Sequence, residues 1–228
     1  LTLMPLKVAV VGCGNVSGVH LQPIAHSKKA KLIAVCDIKP ERAQASAQKY
    51  EVPWFTDYKE VLDLDPDLIH ICTPHHTHAQ IAIDAANSGI HVLTEKPMAI
   101  NLKDADEMIA AAKKNNIKLG VIFQNRYNTA SQAIYKAVQA GKLGEILGCR
   151  MFVTWCRTND YYKYSDWKGT WEHEGGGALI NQAIHTIDLM QWIMGDIDTL
   201  QGTIANRTLD TIEVEDMAEA SIISKIGA

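Results

Sequence analysis

The 228-residue sequence has no apolar stretch long enough to cross a bilayer, and its first residues show no charged-then-apolar export signal. Leu1-Thr2-Leu3-Met4 is too short for such a signal, and Met4 stands as a candidate first residue. A basic excess is also missing. Lys and Arg number 22 against 26 Asp and Glu, a formal charge of −4, so no field draws in phosphate backbones or anionic lipid. Nucleic acid and membrane are therefore not expected as partners. There is no C-x-x-C pair; the five cysteines (Cys13, Cys36, Cys72, Cys149, Cys156) are scattered and odd in number. Three of them lie in or beside apolar runs, as small buried hydrophobes do, and a reducing cytoplasm is the expected compartment. Internal repeats, low-complexity tracts and Pro/Ser linkers are absent too. What remains is an ordinary globular composition, 47% hydrophobic and 21% charged, sized for one large domain or two modest ones.

The first half alternates short β-branched runs with helical patterns. Strands are expected at residues 7–11, 31–36, 68–72, 91–94 and 118–123, with helices at 16–25, 41–49, 77–87 and 103–115. Pro40 suits a first helical turn and Gly89 a helix stop. Repeated strand–helix–strand order predicts a doubly wound parallel sheet with right-handed crossovers, placed at residues 1–123. The character then changes. A helix at 129–140, a long Val-, Thr-, Phe- and Trp-rich strand at 146–157, a helix at 178–194 and strands at 199–206 and 214–225 predict a second α+β domain. Its sheet, over residues 124–228, is expected to be open and largely antiparallel.

Gly12-Cys13-Gly14-Asn15-Val16-Ser17-Gly18 follows a strand and opens a helix. Glycine at 12 permits a tight turn, glycine at 14 lets backbone approach a diphosphate, and the helix N-terminus faces the phosphates. The third glycine of the usual fingerprint is displaced: Ser17 holds its place. Asp37 ends the second strand about twenty residues on, where a carboxylate accepts both ribose hydroxyls and repels a 2′-phosphate. NAD is favoured over NADP, with Lys39 the one feature pulling the other way. The structural alternative is a plain strand–turn–helix loop with Asp37 capping a neighbour.

Three further segments follow in order: Thr73-Pro74-His75-His76-Thr77-His78, then Glu95-Lys96-Pro97, then Gly175-Gly176-Gly177-Ala178-Leu179 running to His185 and Asp188. Together with the glycine loop they resemble the glucose–fructose oxidoreductase/inositol dehydrogenase/rhizopine-catabolism (Gfo/Idh/MocA) family over essentially the whole chain. The resemblance implies an N-terminal Rossmann domain, a C-terminal domain whose open sheet often mediates homo-oligomers, and hydride transfer between NAD(P) and a sugar or cyclitol carbon. It also implies that Thr73, Pro74 and His78, which starts the next helix, edge the dinucleotide cleft, with Glu95 near the nicotinamide ribose and Lys96 beside it.

Oxidising a secondary alcohol requires a hydride acceptor, a base for the hydroxyl proton and a group that stabilises negative oxygen. Lys96 ends a parallel strand, where such sheets bind ligands, and its ammonium can hold the substrate oxygen and pass a proton. Asn181 and His185 are four apart and so share a helix face, with Asp188 a candidate orienter of the imidazole; Leu179, Ile180, Ile184, Ile187 and Met190 form the apolar stripe opposite. Many relatives carry Asp at the position of Asn181, and Asn cannot take a proton. The base role therefore falls to His185 or Lys96. Trp167, Gly169 and Trp171 form a Trp-x-Gly-x-Trp run similar to a branch acting on sugars and nucleotide-sugars at ring carbon 3. Arg126, Tyr127, Tyr161, Tyr162, Trp167 and Trp171 supply the aromatic and bidentate groups that hold sugars, although the same side chains can equally pack the second domain. The histidines at 75, 76 and 78 straddle a strand–loop–helix junction rather than one helix face, which argues against zinc.

Residues 214–225 read as a strand with Gly227-Ala228 turning into a partner, and then the sequence stops, so the second domain is expected to be incomplete. Two other functions stay open at this level. One is an inactive NAD(H)-binding or oligomerising fragment; the other is an enzyme that reuses bound NAD within a hydrolase or epimerase cycle.

Overall fold

A computed structural model describes residues 4–225. Leu1–Leu3 and the expected turn at Gly227-Ala228 lie outside the described residues. The chain forms two compact units, residues 1–122 and 123–228.

The first unit is a six-stranded, all-parallel sheet. Its strands are β1 (Leu6–Val11), β2 (Ala30–Cys36), β3 (Trp54–Phe55), β4 (Leu68–Ile71), β5 (His91–Thr94) and β6 (Leu119–Val121). They lie in the order β3-β2-β1-β4-β5-β6, which reverses between β1 and β4. That reversal opens a crevice at the carboxyl ends of the strands, the place where such sheets bind ligands. Helices α1 (Gly18–His26), α2 (Pro40–Tyr50), α3 (Tyr58–Leu62), α4 (His78–Asn87) and α5 (Leu102–Lys114) make the crossovers. The apolar runs of the strands are continuous because both faces are covered. Val8, Val10 and Val35 pack with Leu21 and Ile24 of α1 on one side. Ala9, Val11, Ile69 and Ile71 pack with Ile81 of α4 and Met108 of α5 on the other. Helix starts follow local chemistry. Pro40 opens α2, the Asp57 side chain accepts from Lys59 N at 2.9 Å before α3, and Asn101 accepts from Asp104 N at 2.9 Å before α5.

The second unit holds α6 (Thr129–Gln139), α7 (Asn159–Lys163), a π-helical turn (Ala178–Ala183) running into α8 (Ile184–Met194), and the antiparallel pair β7 (Ile197–Ala205) and β8 (Met217–Ser224). Tyr162, Leu209, Ile212 and Val214 make its small buried cluster. Tyr135 of α6 stacks on Trp192 of α8 with centroids 4.0 Å apart.

Two expectations are corrected here. The strand expected at 146–157 does not form; residues 146–158 carry no ladder, and Leu147, Phe152 and Trp155 stand exposed. Strand propensity expresses itself through pairing, and the only described ladder of this unit joins β7 to β8. The continuous helix expected at 178–194 begins instead as a π turn, and the stripe from Leu179 to Met190 is at most partly buried.

Candidate active site

The glycine loop leaves β1 at Gly12, where φ is +96°, and a Cβ there would sit 2.5 Å from the Cys72 carbonyl carbon and oxygen. Only glycine lets the β1 turn cross the end of β4 this closely. A Cβ on Gly14 would meet nothing within 4 Å, so the backbone there faces open space. Asn15 and Val16 are exposed on the same turn, while Ser17 is buried and its hydroxyl donates to Gly14 O at 2.7 Å. Ser17 thus braces the turn, and the main-chain amides carry its anion-binding capacity. Asp37 is 8% exposed; its carboxylate accepts Cys13 N at 2.8 Å and Lys39 N at 2.9 Å. A carboxylate has about four acceptor positions, so ribose hydroxyls can still be held after these two bonds. Loop and carboxylate fit an adenosine diphosphate: an open glycine backbone on one side, a fixed acceptor on the other.

Thr73 and Pro74 follow β4 and enter a tight turn, where Thr77 Oγ1 lies 2.7 Å from Thr73 Oγ1 and 2.8 Å from Pro74 O. His78 does begin α4, but its ring is fully buried, with Nδ1 2.7 Å from Pro97 O and Nε2 2.9 Å from Thr73 O. Those carbonyls can only accept, so a neutral ring donates to one of them at a time. Burial drives the His78 pKa down, against the two carbonyls and Glu95. Its ring ties the loop after β4 to the turn after β5. Lys96 stands at the end of β5, before a cis Lys96–Pro97 bond. Glu95 is 9% exposed and bonded to His20, a partner that the sequence did not suggest.

In the second unit the glycine triplet is packed on Glu215. A Cβ on Gly177 would fall 2.1 Å from Glu215 O. The buried Glu215 carboxylate accepts Gly177 N at 3.0 Å and Leu179 N at 2.9 Å, and its carbonyl accepts Ala178 N at 2.8 Å. These bonds occupy amides that open the π turn, which have no partners within the helix. Asn181 donates to the fully buried Glu174, whose other oxygen accepts Gly169 N at 2.6 Å, and reaches Tyr161 Oη at 3.4 Å. His185 instead lies 3.4 Å from Gln124 Nε2 and edge-on to Phe123 at 6.0 Å. The two residues expected on one face thus meet different partners, with a π turn ending between them.

Asp188 has a partner that the sequence did not suggest. Its carboxylate takes a bidentate bond from Arg126, at 2.7 Å from Nε and 2.5 Å from Nη2, and this bond holds the Arg126 pKa above its ordinary value. These bonds engage Nε and Nη2 of the Arg126 guanidinium. Trp167 has the Lys168 ammonium 5.6 Å from its ring, and the same ammonium sits 3.8 Å from the Tyr161 centroid, with Arg157 at 4.9 Å. Burial raises the Tyr161 pKa, but Lys168 and Gln182 outweigh it and the phenol falls below its ordinary value. Sequence reasoning missed Glu215 because it sat inside an apparent strand, and it missed His20 because a helix pattern does not mark which polar residue points inward. His70 did carry a signal, a lone histidine within an apolar strand. Among the described residues, no group of three His, Cys, Asp or Glu is placed to hold a metal.

Known proteins match this arrangement. The profile of an oxidoreductase family with an NAD-binding Rossmann fold (GFO_IDH_MocA) covers residues 6–123, and the GFO/IDH/MocA C-terminal domain covers 131–228. The chain belongs to the Gfo/Idh/MocA family. Its first unit is that family's NAD-binding domain. D-glucoside 3-dehydrogenase of Escherichia coli K12 is 33% identical over 86% of this chain and 56% of its own length. Inositol 2-dehydrogenase of Salmonella typhimurium is 29% identical over 85% of this chain and 56% of its own. The WlbA dehydrogenase of Chromobacterium violaceum, solved with NADH and UDP-GlcNAcA, superposes with a TM-score of 0.92 at 34% identity, over 100% of this chain and 66% of that one. The chain thus spans about half the length of these curated relatives. Among the described residues, no helix is long and apolar enough to cross a membrane.

Proposed function

We propose that this Gfo/Idh/MocA chain acts as an NAD-dependent oxidoreductase on a secondary alcohol of a sugar, cyclitol or nucleotide-sugar. The observation that carries this reading is the shared placement of the glycine loop, Asp37 and Lys96 at the carboxyl ends of one parallel sheet. NAD, when bound, supplies the hydride acceptor. The backbone at Gly12, Gly14, Asn15, Val16 and Ser17 holds the diphosphate, Asp37 the adenosine ribose, and Thr73, Pro74 and Glu95 border the nicotinamide half. Lys96 binds the alcohol oxygen and stabilises charge as the carbon loses hydride. The hydroxyl proton passes to His185 or through Lys96, and Asn181 holds a neighbouring hydroxyl. Trp167 and the remaining donors of Arg126 complete the sugar side. The names of the relatives, which act on glucosides and inositol, support this substrate class.

The same reading places the protein in a reducing cytoplasm, supported by five unpaired cysteines of which Cys149 and Cys156 are exposed. It also pairs copies through the β7–β8 sheet, supported by the exposed Leu200, Ile204 and Ile223. A panel of sugars, cyclitols and nucleotide-sugars followed by NADH absorbance tests the activity. At least one substrate is expected to reduce NAD, and Lys96→Ala is expected to lower kcat about 1,000-fold, within the span of acid–base contributions, while NADH affinity stays within a few-fold. Near wild-type turnover by Lys96→Ala removes that lysine from the chemistry. NADH binding with no turnover on any member of the panel removes the dehydrogenase reading.

A further inference from the structure

Three ionisable side chains lie buried in the first unit, two of them histidines to which dinucleotide binding gives no role: His20 on α1, His70 on β4 and Glu95 after β5, exposed by 6%, 9% and 9%. They form one chain of contacts. His20 Nδ1 lies 3.0 Å from His70 Nδ1, the rings meeting edge to face at 84°, and His20 Nε2 lies 3.0 Å from Glu95 Oε1. The other oxygen of Glu95 accepts the Lys96 backbone N–H at 3.2 Å. The surrounding cluster of Val8, Val10, Leu21 and Cys72 is apolar, so each of these groups is costly to bury without its partner.

Proton accounting fixes the direction of the bonds. An ionised carboxylate only accepts, and the bond from His20 draws the Glu95 pKa down even though burial pushes it up. His20 Nε2 therefore carries a proton and donates it to Glu95. The Nδ1–Nδ1 contact holds a single proton, on His70 when His20 is neutral and on His20 when it is charged. In either state the His20 ring is held at both nitrogens and cannot turn.

The position of this ring is what matters. It hangs from the first turn of α1, two residues after Gly18, on the helix that the glycine loop opens. Through Glu95 it touches the backbone of the residue assigned to the substrate oxygen. We propose that His20 is a positioning residue, which clamps the Glu95 carboxylate onto the Lys96 amide and so couples the diphosphate-binding turn to the placement of Lys96. The kinetic half of this inference rests on the oxidoreductase reading above; the structural half does not.

The test uses the full chain in three forms: wild type, His20→Leu, and His20→Gln, whose amide can still donate to Glu95. In the dehydrogenase assay His20→Leu is expected to lose roughly ten- to a hundred-fold in kcat, the scale of a small misplacement of a reacting group, with KM for the sugar little changed and His20→Gln recovering part of the loss. Independently of turnover, the Lys96 amide is followed in 15N-lysine-labelled protein, assigned by its disappearance in Lys96→Arg. In wild type this resonance is expected to move when NADH is added; in His20→Leu it is expected to start upfield and not respond. If no sugar is oxidised by wild type, the dehydrogenase reading fails while the amide spectra still decide the coupling. A folded His20→Leu with the wild-type Lys96 resonance and the wild-type NADH response overturns the proposal. Should His20→Leu not fold, Glu95→Gln replaces it in the amide experiment. An upfield Lys96 amide then supports the clamp, and an unmoved one overturns it.

Discussion

At the scale of single residues, the nucleotide end is constrained in two different ways. Gly12 is fixed by sterics, since its φ of +96° and the Cys72 backbone 2.5 Å from any Cβ exclude every side chain. Gly12→Ala is expected to displace the turn, lowering the thermal midpoint by several degrees and weakening NADH binding in calorimetry; an unaltered midpoint and affinity would show that the turn has slack. Asp37 is fixed by charge. Its bonds to Cys13 N and Lys39 N make it partly a loop brace, so loss of NADH affinity in Asp37→Ala does not by itself establish a ribose contact. The ratio does. A hydrogen bond to a charged acceptor contributes about 1.5–3 kcal/mol, so the net loss of even one is expected to lower NADH affinity roughly ten- to a hundred-fold. NADPH affinity is expected to hold or rise, because the repelling carboxylate is gone. Equal losses for both nucleotides would leave Asp37 as a brace alone.

At the scale of elements, the C-terminal unit depends on an acceptor that arrives from far along the chain. Glu215 precedes β8, yet its carboxylate takes the amides of Gly177 and Leu179 at the start of the π turn. Leaving a buried amide without an acceptor costs about 1–3 kcal/mol, so Glu215→Ala is expected to lower the unfolding midpoint of this unit by several degrees. Glu215→Gln, with one acceptor oxygen where there were two, is expected to fall between; a Glu215→Ala midpoint equal to wild type would show that other groups seat the turn. This dependence explains what the sequence could and could not disclose. The parallel sheet was legible because its strands are buried on both faces and its helices carry local signals at Pro40, Asp57 and Asn101. The placement of the glycine loop, Asp37 and Lys96 was legible because each follows directly from the end of a strand. Residues 146–157 were misread because a Val- and Trp-rich run states a preference for pairing without naming a partner. The α8 face was misread because the π turn is imposed by Glu215 and the Gly177 approach, contacts about forty residues apart in sequence. The Arg126 partner of Asp188 was hidden for a related reason. A carboxylate three residues from a histidine is a natural partner locally, but Arg126 offers two parallel bonds.

At the scale of the whole molecule, the buried histidines make folding sensitive to mild acid. Burial first, and then the proximity of His20, push the His70 pKa from 6.5 to about 4. The folded state therefore resists a proton that the unfolded chain accepts below pH 6.5. Its contribution is complete above that pH and is lost progressively between 6.5 and 4, as the unfolded state binds the extra proton. At 1.36 kcal/mol per unit, the loss across the window is about 3 kcal/mol, a large share of an ordinary folding free energy. His78, lowered mainly by burial, adds in the same direction. Glu95 acts later: its depressed pKa gives stability that is present above 4.5 and lost as pH falls through its folded value. Denaturant unfolding of the N-terminal transition is thus expected to be nearly flat above pH 7, to weaken from about 6.5 downward, and to steepen below 4.5. His70→Leu isolates the first step, since an apolar side chain suits the flanking cluster and carries no titration. Between pH 6.5 and 4 its stability is expected to fall with a slope shallower by about one proton. An unchanged slope would move the acid sensitivity away from β4 and onto groups outside the His20–His70–Glu95 chain.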